Sequence, residues 1–410
     1  MKISITKYFQ KIHLPLILII GSLYISLISN YLGPPNMVLT APVLFVGFAM
    51  SIYLIHKTKF FSQHFNLTEQ IFFLFTLIYF SNLFIDTILL PQKKILTSYA
   101  TSGMLLLYIT CFGFITSLSV KNKNNFDEKT ILRIFFFLGT LGMLIALPAM
   151  KNVVRGVSQY DTGRADVGEG LNAITMGRFS ISIFIIAFYV FLKEKKVSYR
   201  ILSVFSMLLC LLVAALTGSR GPFVTLALVI LFFFLVQKNT KNVLRFMVVS
   251  LLLFVLLKGT ILNFLESRGA SIFIRMEQAI YEQNFSGRTQ KYLDALHSFQ
   301  ENPIFGHYFV LDKGENAGGH PHNLLLEVLI TTGLLGIIPF LYILLSNLKK
   351  SVWVISKDAP WAWIHLLSIQ YILASMFSFS LTKSPGVWIL IYFVASYNKN
   401  ILKQADSKNE

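Results

Sequence analysis

Charge is scarce in this chain: Asp, Glu, Lys and Arg make up 13% of its 410 residues, whereas 55% are hydrophobic. A water-soluble globule of this length needs far more polar surface, so burial of one core in water is excluded. Acids are the rarer sign, 19 against 36 Lys and Arg. Cysteine is nearly missing. Cys111 and Cys210 both fall within apolar runs, which excludes a disulfide framework in the polar loops. No internal repeat relates the two halves of the chain.

What the chain has instead is long apolar runs, with a mean hydropathy of +0.64. Runs long enough to cross about 30 Å of hydrocarbon occur near 14–32, 37–55, 67–90, 95–119, 131–149, 174–192, 201–217, 222–236, 243–264, 323–345, 361–380 and 384–397. They predict an all-α integral membrane protein of about 12 transmembrane helices, with spans 1–9 in residues 1–264. Residues 265–322 form a mostly helical extracytoplasmic loop between spans 9 and 10, residues 323–397 hold spans 10–12, and 398–410 are a cytoplasmic tail. Lys2, Lys7 and Lys11 precede the first run as in a signal peptide, but no small-residue cleavage site follows, so a retained helix is expected.

The lysines choose the sides. The tails and alternate loops, with clusters such as Lys193/Lys195/Lys196 and Lys349/Lys350/Lys357, hold 22 of the 36 basic residues and only seven of the 19 acids. By the positive-inside rule this face is cytoplasmic, and so are both termini. The pI of 9.7 is thereby a topology signal and no argument for nucleic acid.

Arginine breaks the pattern. Only Arg133, Arg200 and Arg245 are inside; Arg155, Arg164, Arg178, Arg220, Arg268, Arg275 and Arg288 are assigned to the outer face. A planar fork that stays charged at any pH and grips phosphate oxygens in pairs is the chemical reason to prefer Arg over Lys. The competing reading pairs these arginines with nearby acids such as Asp161, Asp166, Glu169, Glu266 and Glu277. The outer loops carry no Asp-x-Asp-like pair and no His/Cys cluster, so no metal and no cofactor are expected.

Arg220 sits in Thr217-Gly218-Ser219-Arg220-Gly221-Pro222, between two runs of about 17 and 15 residues that reach only about 25 and 22 Å. Both are short, so the turn is expected to dip below the outer surface, where a charge requires a polar partner. Pro222 opens the next helix, whose N–H groups favour an anion. The alternative is a re-entrant turn with Arg220 snorkelling outward.

In the long loop, Ser271 to Gln283 and Thr289 to Glu301 read as amphipathic helices, the second with Tyr292, Leu293, Leu296 and Phe299 on one stripe that lies on the membrane or roofs a cavity. Arg288 stands at the second helix's N-terminus, and Asn302-Pro303-Ile304-Phe305-Gly306 ends it. The loop closes on His320-Pro321-His322-Asn323 at the outer mouth of a span. A neutral His322 can take a proton from a sugar hydroxyl, Asn323 can orient it or donate to an oxyanion, and Glu327 can position the base or balance an arginine. Capping by Asn323, interfacial solvation of the histidines and a structural ion pair for Glu327 stand beside these readings.

TGSRGP at 217–222, SGRTQKY at 286–292, NPIFG at 302–306 and HPHNLLLEVLITTGLLG at 320–336 together resemble the O-antigen ligase/polymerase family of bacterial envelope proteins. The resemblance is dense over residues 200 to 345. It implies a GT-C-like, metal-independent glycosyltransferase of the inner membrane that works on the outer face with a polyprenyl-pyrophosphate-linked oligosaccharide donor. Arg220 and Arg288 would bind the donor pyrophosphate, with Arg164 and Arg178 matching more loosely, and His322 would activate the acceptor hydroxyl. The acceptor would be a lipid-linked repeat unit in a polymerase or lipid A core in a ligase; a chain-length regulator is a further implied partner. The short outer loop leans toward polymerase. A flippase or secondary transporter is disfavoured by the missing repeat and by span centres without an ionisable coupling pair. A membrane scaffold would leave Arg220 and the long loop without a task.

Overall fold

The computed structural model describes residues 65–85, 128–153, 173–238, 288–306, 309–311, 316–378, 380–381 and 384–397. Among them the elements are helices: α1 (Leu67–Phe84), α2 (Glu128–Val153), α3 (Ala173–Lys193), α4 (Val197–Leu216), α5 (Arg220–Val236), α6 (Arg288–Glu301), α7 (Leu324–Ser356), α8 (Ala362–Phe377) and α9 (Pro385–Ser396). No strand occurs among the described residues. The predicted runs 14–32, 37–55, 95–119 and 243–264, and the helix expected at Ser271 to Gln283, lie outside them. By length and hydropathy, Glu128–Pro148, α3, α4 and α7 can each cross a membrane, while α5 and α8 are shorter apolar helices.

Several helices outrun their predicted lengths, α4 and α7 among them. α4 starts at Val197 and has 20 residues, so it reaches about 30 Å; only α5, with 17 residues and about 25 Å, is short. α7 continues through Lys349 and Lys350 to Ser356. Hydropathy reports the part of a helix at hydrocarbon depth, and polar residues extend a helix beyond it without leaving a trace in that signal.

The chain divides into two units. In the first, formed by 127–284 and 355–370 among the described parts, α3 is buried nearly all round from Met176 to Val190. A helix apolar on every side belongs in the centre, and α2, α4 and α5 surround it. The contact with α2 is close at Gly139, where a Cβ would lie 2.2 Å from the Ile183 side chain. Thr140 and Ser206 share a hydroxyl–hydroxyl bond of 2.8 Å between α2 and α4. Buried Glu194 accepts from Arg133 Nε at 2.8 Å, and the Arg133 guanidinium also lies over Tyr199. Arg200 Nε donates to Glu194 O at 2.9 Å, so two of the three arginines expected inside hold this corner of the fold.

The second unit includes α1, α6, α9 and most of α7. Its core stacks Phe75 on Trp388, with Tyr79 and Phe309 edge-on and Leu324, Val328, Phe340 and Ile391 around them. α1 begins with a capping box: the Asn66 side chain accepts from Glu69 N, and Glu69 Oε2 accepts from Asn66 N. The same Asn66 amide donates to Ala395 O, tying α1 to the end of α9.

α7 is two helical pieces. Gly333 leaves helical geometry at φ 57°, ψ −156°, and the Asn302–Gly306 turn docks on the break. A Cβ on Gly333 would lie 2.4 Å from Ile304 O, and one on Gly306 (φ 71°) would lie 2.5 Å from the Thr331 carbonyl carbon, so both positions need glycine. The donors released by the break are used again: Leu334 N donates to Pro303 O at 2.8 Å and Leu335 N to Ile304 O at 3.0 Å. Asn82 Nδ2 of α1 donates to Thr331 O and Phe305 O. The NPIFG and ITTGLLG segments are therefore two halves of one joint.

Candidate functional site

The first unit holds Arg178 and Arg220. Arg178 lies in the second turn of α3, buried to 6% exposure. Its backbone is locked from two sides: Gln370 Nε2 of α8 donates to Arg178 O at 3.0 Å, and Ser182 Oγ donates to the same oxygen and to Gln370 Oε1. The preceding Gly177 packs on the Arg220 turn, where its Cβ would lie 2.7 Å from Pro222 and 3.0 Å from Thr217 Oγ1. The α3 turn bearing Arg178 and the turn bearing Arg220 are thus packed together.

That turn ends α4 at Thr217, reverses at Gly218 (φ 61°) and starts α5 at Arg220 itself, with Pro222 as its third residue. Sequence reading puts Pro222 first; the structure adds two residues ahead of it. Ser219 occupies the N-cap without a side-chain cap bond, and space beside Gly221 is open to 4 Å. Arg220 is half-buried. An uncapped helix start with a guanidinium on its first residue and empty space beside its second suits an anion.

The second unit holds Arg288, His322, Asn323 and Glu327. Arg288 is the first residue of α6, as expected, and Lys291 follows one turn later. His322, partly buried and at φ 55°, precedes α7; its Nδ1 is buried and without a hydrogen bond. Burial first, and then the charges of Lys291 and Arg288, push the imidazole from 6.5 down to about 4. His322 is neutral across the physiological range, next to two fixed cations.

The turn ahead of this histidine is tethered to α6. Asp294 on α6 accepts from Asn316 Nδ2 and from Gln290 Nε2, each at 2.9 Å, and these bonds hold its carboxyl below the usual carboxylate range. The Asn316 turn leads on through Gly318 and Gly319, which pair with Leu311 (Gly318 N donates to Leu311 O, Leu311 N to Gly319 O), and so into His320–His322. The only trace of this tether in the sequence is Gln290 and Asp294 one helical turn apart.

Asn323 caps α7: its Oδ1 accepts from Leu325 N at 3.0 Å and Leu326 N at 3.1 Å, and its Nδ2 donates to Met376 O at 3.4 Å. Glu327 is fully buried, and its Oε1 accepts from Ser380 Oγ at 2.7 Å and Leu381 N at 2.9 Å. It holds the link between α8 and α9, where Trp388 Nε1 also donates to Leu381 O. The α6 stripe divides: Phe299 packs with Ala295 against Leu311, Leu326 and Ile330, whereas Leu293 and Leu296 are exposed. Arg164, like Arg155, Arg268 and Arg275, lies outside the described residues. No group of three potential metal ligands occurs among the described residues.

The helices and their hydropathy make this an α-helical membrane protein. Residues 205–341 match the family model described as O-antigen ligase, which supports assignment of the chain to the O-antigen ligase/polymerase family and a ligase- or polymerase-type function on envelope glycans. The matched stretch, from within α4 to beyond the α7 break, contains Arg220, Arg288, His322, Asn323 and Glu327 and leaves out Arg164 and Arg178. No curated protein matches the chain.

Proposed function

We propose that the protein is a metal-independent membrane glycosyltransferase of the GT-C type that polymerises polyprenyl-pyrophosphate-linked repeat units on the outer face of the bacterial inner membrane. The observation that carries this is a neutral His322 beside Arg288 and Lys291, at the start of α7 in the family-matched stretch. In this reading an acceptor hydroxyl oxygen attacks the anomeric carbon and passes its proton to the imidazole. The bond from that carbon to the phosphate oxygen breaks, and the electron pair leaves with the pyrophosphate. Arg220 and Arg288 bind that charge, with Arg178 and Arg164 as further pyrophosphate contacts; attack opposite the leaving group inverts the anomeric centre. Fixed guanidinium groups in a water-poor setting supply what a metal supplies elsewhere. Asn323 and Glu327 serve by position, the one fixing the start of α7 behind His322 and the other the α8–α9 link.

An imidazole depressed by burial first and by two cations second is a weak base, and an anion relieves the second part of that depression. Donor pyrophosphate near Arg288 and Lys291 offsets their charge and raises the basicity of His322, so that the base is strongest when the donor is bound.

The matched family's description favours a second reading, ligation of the glycan to lipid A core. Glycan banding in a strain lacking the gene separates the two. A single repeat unit still attached to lipid A core is expected for the polymerase, whereas long chains stranded on the polyprenyl carrier would replace it with the ligase. Normal banding would reject both.

A further inference from the structure

The Asn302–Gly306 turn belongs to a segment assigned to an outer soluble loop, yet its two outermost side chains are apolar and bare: Ile304 is 56% and Phe305 65% exposed. Its carbonyls, by contrast, are spent. Asn302 O accepts from Gly306 N, Pro303 O from Leu334 N, Ile304 O from Leu335 N, and Phe305 O from Asn82 Nδ2. Four consecutive carbonyls satisfied from within the protein meet, for its acceptors, what irregular backbone needs at membrane depth.

Its depth follows from α7. Lys349 marks the cytoplasmic end of the apolar part, and Gly333 lies 16 residues above it, at most about 24 Å along a helix. The hydrocarbon is about 30 Å thick, so the break and the turn docked on it lie about 6 Å or more beneath its outer boundary. Leu334, Ile338, Leu341, Leu345 and Leu348 recur at helical spacing as exposed residues down α7. Ile304 and Phe305, bonded at the top of this stripe, continue it.

We infer that Asn302–Gly306 is a re-entrant turn inserted in the outer leaflet, with Ile304 and Phe305 packed among phospholipid acyl chains and α6 descending beside the first third of α7. The inference rests on the membrane reading of α7 and on no step of the proposed transfer. The turn fastens the α7 break to the bilayer, so that the helix bearing Arg288 is held at its far end by lipid.

Site-directed spin labelling of the full-length protein in nanodiscs of phospholipid alone tests this. With Cys111 and Cys210 replaced by Ser, nitroxides are placed on Ile304→Cys, Phe305→Cys and, as the water-facing reference, Thr289→Cys. The ratio of oxygen to nickel-complex collisions is expected to be at least about tenfold higher at 304 and 305 than at 289. Equal ratios at all three would overturn the insertion. So would protection that appears only when polyprenyl phosphate is added, which assigns the surface to a carrier tail, or only with two copies per disc, which assigns it to a second chain. Ile304→Cys carries the result if Phe305→Cys does not fold. Glycosyl transfer enters nowhere in the readout, so failure of the proposed function leaves this test intact.

Discussion

Two irregular joints of this protein use their backbone in opposite ways. At Thr217–Pro222, in the first unit, the helix start is left without a side-chain cap, Gly221 faces open space and a half-buried arginine stands first in α5. At Asn302–Gly306 and Gly333, in the second unit, the displaced helix donors are bonded to carbonyls of the turn, and both glycines are enclosed by backbone. The first joint is suited to receive something; the second is suited to hold shape. Both are glycine-containing turns of the family-matched stretch, so a motif by itself does not say which kind it is.

The largest expected effects fall on the groups given chemistry. His322→Ala is expected to lower glycan transfer by about 10²–10⁴-fold and Arg220→Ala by about 10²–10³-fold, with the protein still present in the membrane. Near-normal polysaccharide from either variant would remove that residue from the reaction and undo the contrast.

Gly333→Ala and Gly221→Ala then probe the joints directly. At Gly333 the added Cβ meets carbonyl oxygen at a positive φ, and a loss of about 3 kcal/mol or more is expected, read as a lower Tm or loss of folded protein. At Gly221 there is room, and the melting temperature should hold to within about 0.5 kcal/mol of wild type. Equal tolerance at both positions would erase the distinction between an open and a closed joint.

Asn82→Leu removes the donor to Thr331 O and Phe305 O and should cost about 1–3 kcal/mol by leaving carbonyls unsatisfied. A neutral result would mean the break is held by the Leu334 and Leu335 bonds alone.

The smallest effect is in pH. The folded pKa of His322 is depressed, so the unfolded chain binds the proton first, and this group's contribution to stability is complete above about pH 6.5 and is lost as pH falls toward 4. The acid limb of kcat/KM, which reports the free enzyme, is expected near pH 4, and that of kcat higher once donor is bound. Lys291→Gln should move the kcat/KM limb upward; an unchanged limb near 6.5 in both forms would detach His322 from its cations.

Much of the site could be read before the fold. Arg288 at a helix start, His322 at the mouth of α7 and Arg220 in a break all follow from local pattern, and the structure puts each on such an element. Asn323 is the instructive case: the sequence leaves both capping and chemistry open for it, and its Oδ1 accepts from two backbone donors of α7. For Glu327 the sequence leaves open positioning the base, balancing an arginine and a structural ion pair; its Oε1 accepts from Ser380 Oγ and Leu381 N, 53 and 54 residues away, which no local pattern announces. Gln370, Ser182, Asp294 and Asn316 carry no local signal, because bonds between residues 22 to 192 positions apart follow no spacing rule.

Hydropathy read along the chain gives the membrane, and charge gives the expected sides and the expected sorting of arginine, because both act residue by residue. The tertiary structure alone decided that Leu324 to Ser356 is broken at Gly333 and closed again by the turn at Asn302–Gly306. Hydropathy runs without interruption through that break; what permits it is a set of hydrogen bonds from residues about 30 and 250 positions away in the chain, and only folding brings those partners together.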